Sequence, residues 1–464
     1  MTASPESADS EGLKRLVLLV TTAASFLTPF LGSAVNLALP AISAEFQMTA
    51  VQLSWVATAF LLAAAMFLVP FGKIADIHGR KKIFLAGMLV HLISALLSVQ
   101  APSAGWLIAL RVFQGIGSAL IFGNSVAILT SVYPAGERGR VLGINVASVY
   151  TGLSSGPFLG GLLTQNFGWR SIFLVSAILS GAIILLTLWK LRDEWVGAQG
   201  ERFDVLGSLI YGLMLVAVMY GFSQLPSWLG AGLIAVGVVL LVVFIWWESR
   251  LESPVLNMRL FRENRVFALS NLAALINYSA TYAVSFLLSL YLQYIKGLPP
   301  QRAGLVLVSQ PIMQALFSPL AGRLSDRVES RVVASTGMAL ITAGLTVLAF
   351  LNADTPQAVI VAILMVLGFG FALFSSPNTN AVMSSVERRF YGVASATLGT
   401  MRLAGQMFSI GIASLLFAVV IGKVQITPQY YPAFVISVRT AFGIFAALCF
   451  AGIWASLWRG KLRS

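Results

Sequence analysis

Gly72–Lys82 reads GKIADIHGRKK, a short charged knot set between two long apolar runs, and Gly322–Arg327 reads GRLSDR. In both stretches a glycine closes an apolar segment, an aspartate follows four residues on, and basic residues end the turn. The second stretch carries Glu329 where the first has Gly79, so the echo is imperfect. A repeated knot of this kind divides the chain into two related halves.

Composition explains what the halves are made of. Of the 464 residues 58% are hydrophobic and only 10% are charged, against roughly a quarter charged in a soluble protein. The apolar residues gather into runs of about 20, long enough to cross a hydrocarbon core as helices. These runs lie at 16–39, 53–71, 83–99, 105–126, 141–165 and 171–189, then 206–222 and 229–247, then 266–292, 303–321, 332–350, 358–374, 393–420 and 434–458. About fourteen spans result, arranged as six, an inserted two, and six. The expected fold is an all-α membrane protein of two six-helix bundles, with a tail over 1–13, a first bundle over 14–192, the inserted pair over 193–250 and a second bundle over 251–464. The first run continues without a cleavage site, so it reads as a retained helix.

The net charge of +13 would suit nucleic acid if it formed one patch, but its distribution follows a membrane instead. With the N-terminus in the cytoplasm, Arg170, Lys296, Arg302, Lys423 and Arg439 fall outside, Arg111 and Arg402 fall within spans, and the other Lys and Arg fall inside. Both termini are then expected in the cytoplasm of a multi-pass protein of the cell inner membrane. The expected partners are the bilayer, a small-molecule substrate and protons, with no nucleic acid, and a monomer suffices. The single Cys449 lies in the last run and excludes a disulfide framework.

The residues GKIADIHGRKK, LIALRVFQGIGSAL (Leu107–Leu120) and GLSSGPFLGG (Gly152–Gly161) resemble, in order and spacing, three signatures of the major facilitator superfamily. NLALP (Asn36–Pro40), FDVLG (Phe203–Gly207), MRLF (Met258–Phe261) and the region from SPNTNAVM to MRLAGQ (Ser376–Gln406) are similar to its fourteen-helix drug/proton antiporter branch. The resemblance implies a major facilitator fold, alternating access, a cytoplasmic gate at Gly72, Asp76, Arg80, Asp326 and Arg327, and a link to efflux, antiport and multidrug resistance. It also implies that the glycine-rich fifth span goes with export.

Physical chemistry gives these residues readings of their own. Gly72 permits close helix approach, and Asp76 suits the N–H groups at a neighbouring helix end. Gly152, Gly156, Pro157, Gly160 and Gly161 read as an outer hinge, since proline gives up a backbone bond and glycine permits contact. Arg111 inside a span needs water, a carbonyl or an acid, so it reads as a functional cation or as a brace. Gln114 shares its face. Arg402 reads as an anion contact or a second brace, and His91 as a proton carrier or a residue bonded to a neighbouring helix.

Asn36, Tyr150, Asn277, Tyr278, Tyr282, Gln310, Asn145 and Asn378, with Arg111 and Gln114, form the expected substrate cavity, if the first, fourth, fifth, ninth, tenth and twelfth spans face inward as the resemblance implies. Asn124, Gln293, Gln314 and Asn380 lie at similar depth. The resembled pattern places an aspartate five residues before Asn36, where this chain has Leu31. A cavity with cations and no acid disfavours cationic substrates, because nothing offsets their desolvation. The expected substrates are neutral, zwitterionic or anionic amphiphiles, with an uncoupled or anion-linked carrier of a lipid-like or carboxylate substrate as the alternative. No paired acids, metal-ligand cluster, GxxxxGK[ST] loop or GxSxG elbow occurs, so neither an enzyme nor a metal or other cofactor is expected.

Overall fold

The computed structural model of the chain describes residues 5–191, 193–196, 203–251, 258–387 and 391–460, with the side chains of 5–10, 135, 136, 138, 139, 258, 259, 326, 391 and 392 excepted. Thirteen described helices are long and apolar enough to cross a membrane, and Ala135–Phe167 adds a fourteenth of sufficient length. No strand occurs among the described residues. Helix is what the hydrocarbon demands, because each peptide group must find its partner within its own segment.

We number the spans α1 (Pro5–Phe46), α2 (Ala50–His78), α3 (Arg80–Val99), α4 (Ala104–Val132), α5 (Ala135–Phe167), α6 (Arg170–Lys190), α7 (Val205–Gln224) and α8 (Trp228–Glu248). The remainder are α9 (Arg265–Ile295), α10 (Pro300–Ser325), α11 (Ser330–Leu348), α12 (Gln357–Ser384), α13 (Val393–Ile421) and α14 (Pro428–Trp458). Polar residues placed just before the apolar runs start several of them. Thr49 and Gln52 form a reciprocal capping box at α2, and Ser103, Asp204, Ser227 and Asn264 each accept an N–H at the starts of α4, α7, α8 and α9.

Successive spans alternate in direction, so the α2–α3, α4–α5, α6–α7, α10–α11 and α12–α13 turns share one end of the molecule, the basic face. The opposite end is the far face. Arg439, read from hydropathy as lying outside, falls within α14, where its Nε donates to the carbonyl of Ala349 at 3.0 Å. At the far face Arg170 pairs with Glu45 at 2.6 Å, and the Trp169 indole donates to the same carboxylate. The end of α1 is thereby pinned to the start of α6.

Within the first bundle α1 packs along α5, and α4 along α2 and α3. The second bundle is built alike, with α11 and α10 along α12 and α9 along α13 and α14. The inserted pair leans on the seam between the bundles. Tyr211 of α7 donates to the carbonyl of Ala65 on α2, while Met219 and Phe222 press on Gly411 of α13. On α8, only 17% of the most apolar stretch is buried, so this helix faces the lipid.

The glycine run of α5 is an unbroken helix through Pro157. Its glycines seat α5 on α1: a Cβ on Gly152 would lie 2.3 Å from the Phe26 carbonyl oxygen, one on Gly156 2.5 Å from Ser33 Cβ, and one on Gly160 2.6 Å from Ala34 Cα. Such contacts trade side chains for backbone proximity, the favoured way for helices to associate in lipid. Gly143, earlier on the same helix, has open space around it. Gly160→Val is therefore expected to lower the melting temperature in detergent clearly, by an overpacking cost of roughly 1–3 kcal/mol. Gly143→Val should melt close to the native chain, and thermal unfolding of the two variants side by side checks this.

Candidate functional site

A cavity lies at mid-depth between the two bundles. Ser33 and Asn36 of α1 and Leu153 and Pro157 of α5 form one wall. Tyr278, Thr281, Tyr282 and Ser285 of α9 face them, joined by Leu307, Gln310, Pro311 and Gln314 of α10, Phe371 of α12 and Gln406 of α13. No acidic residue is in this lining. Its character is aromatic and amide, an apolar surface with a few hydrogen-bonding groups that fix orientation. The cavity holds about 80 Å³, well under the roughly 300–1,000 Å³ of drug-sized sites, so the bundles must part further to admit a substrate.

The far face is sealed. A Cβ on Gly304 of α10 would lie 2.1 Å from the carbonyl oxygen of Pro157, and one on Gly161 would lie 2.5 Å from that of Pro300. Ser289 of α9 donates to the Asn36 carbonyl at 2.7 Å and Gln293 to that of Leu37 at 3.2 Å. Gln425 donates to Gln47, and the Ala50 N–H to the Val424 carbonyl. Gly161 thus joins bundle to bundle, whereas the earlier glycines of its run work inside the first bundle.

The basic face is arranged differently. Asp76 pairs with Arg80 at 2.8 Å, and Arg80 also donates to the Ala127 carbonyl and to Ser131 on α4. These partners belong to the first bundle. Gly72, expected to hold two helices together, has nothing within 4 Å of its would-be Cβ. Arg327 is exposed, and the Asp326 side chain lies outside the described residues. A residue that sequence reading passed over completes the knot: Glu194, beyond α6, accepts the Lys81 N–H at 2.8 Å and so caps α3. An acid a few residues past the sixth run was its only signal.

Eight of the ten expected cavity residues divide in two. Asn36, Tyr278, Tyr282 and Gln310 line the cavity. Arg111, Gln114, Asn145 and Asn378 are tied up behind it. Arg111 is 1% exposed, donates Nε to the Val56 carbonyl at 2.9 Å and Nη1 to Gln114, and stands over the Phe60 ring, while Gln114 donates on to Ser98. These bonds join α4 to α2 and α3. Asn145 joins α5 to Ser25 of α1. Asn378 accepts from Arg459 at 2.7 Å and donates to the Ser270 carbonyl, deep in the second bundle. Arg459 is itself 1% exposed, a buried cation whose position at the end of the last run read as an ordinary basic anchor.

Asn277 is buried with both side-chain polar atoms unpartnered. His91 bonds Ser176 at 2.9 Å between α3 and α6, off the cavity. Leu31, standing where the resembled pattern has an acid, is fully buried in the main core. Tyr150 lies one turn below the cavity and shares a 2.7 Å hydrogen bond with Ser375 of α12. Near it, Arg402 donates to Thr379 at 2.6 Å and approaches the Tyr278 ring at 5.7 Å. The lining residues Gln406, Ser33 and Thr281 carried no separate signal, because nothing local tells a cavity face from a packed one.

The family model described as Major Facilitator Superfamily matches residues 21–247 and 271–463. A riboflavin transporter, RibZ of Clostridioides difficile (strain 630), is 29% identical over 445 residues, 95% of this chain and 96% of that protein. The multidrug resistance protein Stp of Mycobacterium tuberculosis (strain ATCC 25618 / H37Rv) is 31% identical over 411 residues, 86% of this chain and 75% of that one. The crystal structure of the nucleoside transporter NupG superposes with a TM-score of 0.63 at 15% identity, covering 96% of this chain and 100% of that one, a likeness of fold.

Gly304→Val should force α10 away from Pro157 and loosen the far-face seal. A cysteine placed at Ser33 is then expected to react several-fold faster with a charged thiol reagent applied from the far face than the same cysteine beside native Gly304. Labelling rates in liposomes check this, and the native Cys449, fully buried, adds no background.

Proposed function

Because the chain belongs to the Major Facilitator Superfamily, we propose that it is a secondary transporter that exports planar, amphipathic small molecules, neutral, zwitterionic or anionic, by alternating access. The observation that carries the substrate class is the lining: Tyr278, Tyr282 and Phe371 offer ring faces and edges, Asn36, Gln310, Gln314 and Gln406 offer amides, and no carboxylate is present to offset a cation. The relative named for riboflavin supports a site that takes a polar aromatic compound, and the one named for multidrug resistance supports export.

In this reading the basic face, with its excess of Lys and Arg, lies in the cytoplasm together with both termini, and the membrane is the inner membrane. Backbone contact at Gly161 and Gly304 closes the far face in the arrangement described, which supports loading from the cytoplasmic side. Release requires that the Gly304–Pro157 contact part and that the knot of Gly72, Asp76 and Arg80 close on the second bundle. Open space at Gly72 is the room for that closure. Arg111, Gln114 and Asn145 keep the first bundle rigid during the swing, as cross-helix bonds to backbone and hydroxyl groups do in lipid.

Coupling to protons is the outer limit of this reading. Leu31 offers no carrier, and His91 is held between α3 and α6, so antiport would have to use a counter-substrate or a titratable group on the substrate. Everted proteoliposomes provide the test. Riboflavin, neutral and planar, is expected to accumulate at least several-fold over protein-free vesicles, whereas ethidium, a permanent cation, should not. Selective accumulation of ethidium would overturn the reading.

A further inference from the structure

The side chains under the cavity form a connected set. Arg402 of α13 donates Nη2 to Thr379 at 2.6 Å, Thr379 donates to the carbonyl of Ser375 at 2.8 Å, and the Ser375 hydroxyl meets that of Tyr150 at 2.7 Å. Tyr150 belongs to the first bundle and the other three to the second. The Tyr150–Ser375 bond thus joins α5 of the first bundle to α12 of the second on the basic-face side of the cavity. Other bonds between the bundles, such as Ser54 with Ser414 and Gln425 with Gln47, lie toward the far face.

Arg402 is a cation without a matching anion. No described carboxylate pairs with it, its Nε is buried without a partner, and its company is a neutral hydroxyl and the face of Tyr278. Burying a guanidinium this way costs free energy that a well-placed anion would recover. Tyr278 and Gln406, the latter one helical turn from Arg402, both line the cavity, so the cation stands directly beneath the place a substrate would occupy.

We propose that Arg402, Tyr278 and Tyr150 form an oxyanion subsite in the cavity floor, and that a substrate carboxylate bound there takes the Tyr150 hydroxyl away from Ser375, releasing the bond between the bundles. The chemistry favours the exchange. A carboxylate accepts from a phenol and from a guanidinium more strongly than a serine hydroxyl does, and charge-assisted bonds are roughly twice as strong as neutral ones. Arg402 thereby gains its missing counter-ion at the same step. An aromatic acid is the fitting ligand: its ring lies among Tyr278, Tyr282 and Phe371, and its carboxylate points to the basic face. The inference rests on the transport reading for its setting but concerns binding, so each can fail without the other.

The test uses the full chain in detergent and two probes of one shape, 2-naphthoate and 2-naphthamide, with affinities from calorimetry. The native protein is expected to prefer the acid about tenfold. Arg402→Gln should erase that preference and leave the amide affinity within about twofold, which also reports an intact cavity. Ser375→Ala, a change too small to disturb packing, removes the competing partner of Tyr150 and should tighten the acid about threefold with the amide unchanged. Equal binding of both probes by the native protein, or a preference that survives Arg402→Gln, would overturn the subsite. An acid affinity unmoved or weakened by Ser375→Ala would overturn the displacement of Tyr150. If the acid preference holds while liposomes move neither probe, the subsite stands and export is what fails.

Discussion

Two helices cannot approach until their backbones touch unless one of them gives up its side chain. That constraint decides how this protein closes at the far face. Gly161 of α5 against Pro300, and Gly304 of α10 against Pro157, bring carbonyl oxygens within 2.1–2.5 Å of where a Cβ would stand. In lipid there is no hydrophobic drive to press helices together, so shape and backbone proximity do that work. The same device seats α5 on α1 through Gly152, Gly156 and Gly160. One run of small residues therefore builds a rigid bundle along most of its length and a separable contact at its end.

Polar side chains in the bundles follow a second rule. A buried amide or guanidinium must find a partner, and the nearest ones are backbone carbonyls and hydroxyls of adjacent helices. Arg111 on Val56, Asn145 on Ser25 and Asn378 with Arg459 are all answers of this kind. They hold each bundle as a body. Some buried polar atoms stay without a partner, inside the bundles at His91, Asn271 and Arg459 and near the interface of the bundles at Asn277, Gln314 and Arg402.

Much of the architecture was legible from the chain because hydropathy is a strong, local signal. The runs fell close to the helices, including the inserted pair, and the repeated knot at Gly72 and Gly322 placed the two halves. Facing was far less legible. Arg111 and Gln310 are both polar residues at similar depth, yet one is locked against α2 and the other lines the cavity. The difference is a rotation about a helix axis, fixed by packing against helices far away in sequence. Gly72 shows a different limit: a glycine that reads as a close helix contact has nothing within 4 Å of where its Cβ would stand, because spacing along the chain does not say which helix lies opposite.

The account turns on two rigid bundles whose faces open in opposition. Spin labels at His78 and Val328 report the basic face, and labels at Asn166 and Asp354 report the far face; all four positions are exposed. Distances between each pair, measured in liposomes by pulsed electron resonance with and without a transported compound, test the account most directly. The far-face pair is predicted to lengthen as the basic-face pair shortens, each by several ångströms. Two distances that stay fixed, or that change in the same sense, would contradict it.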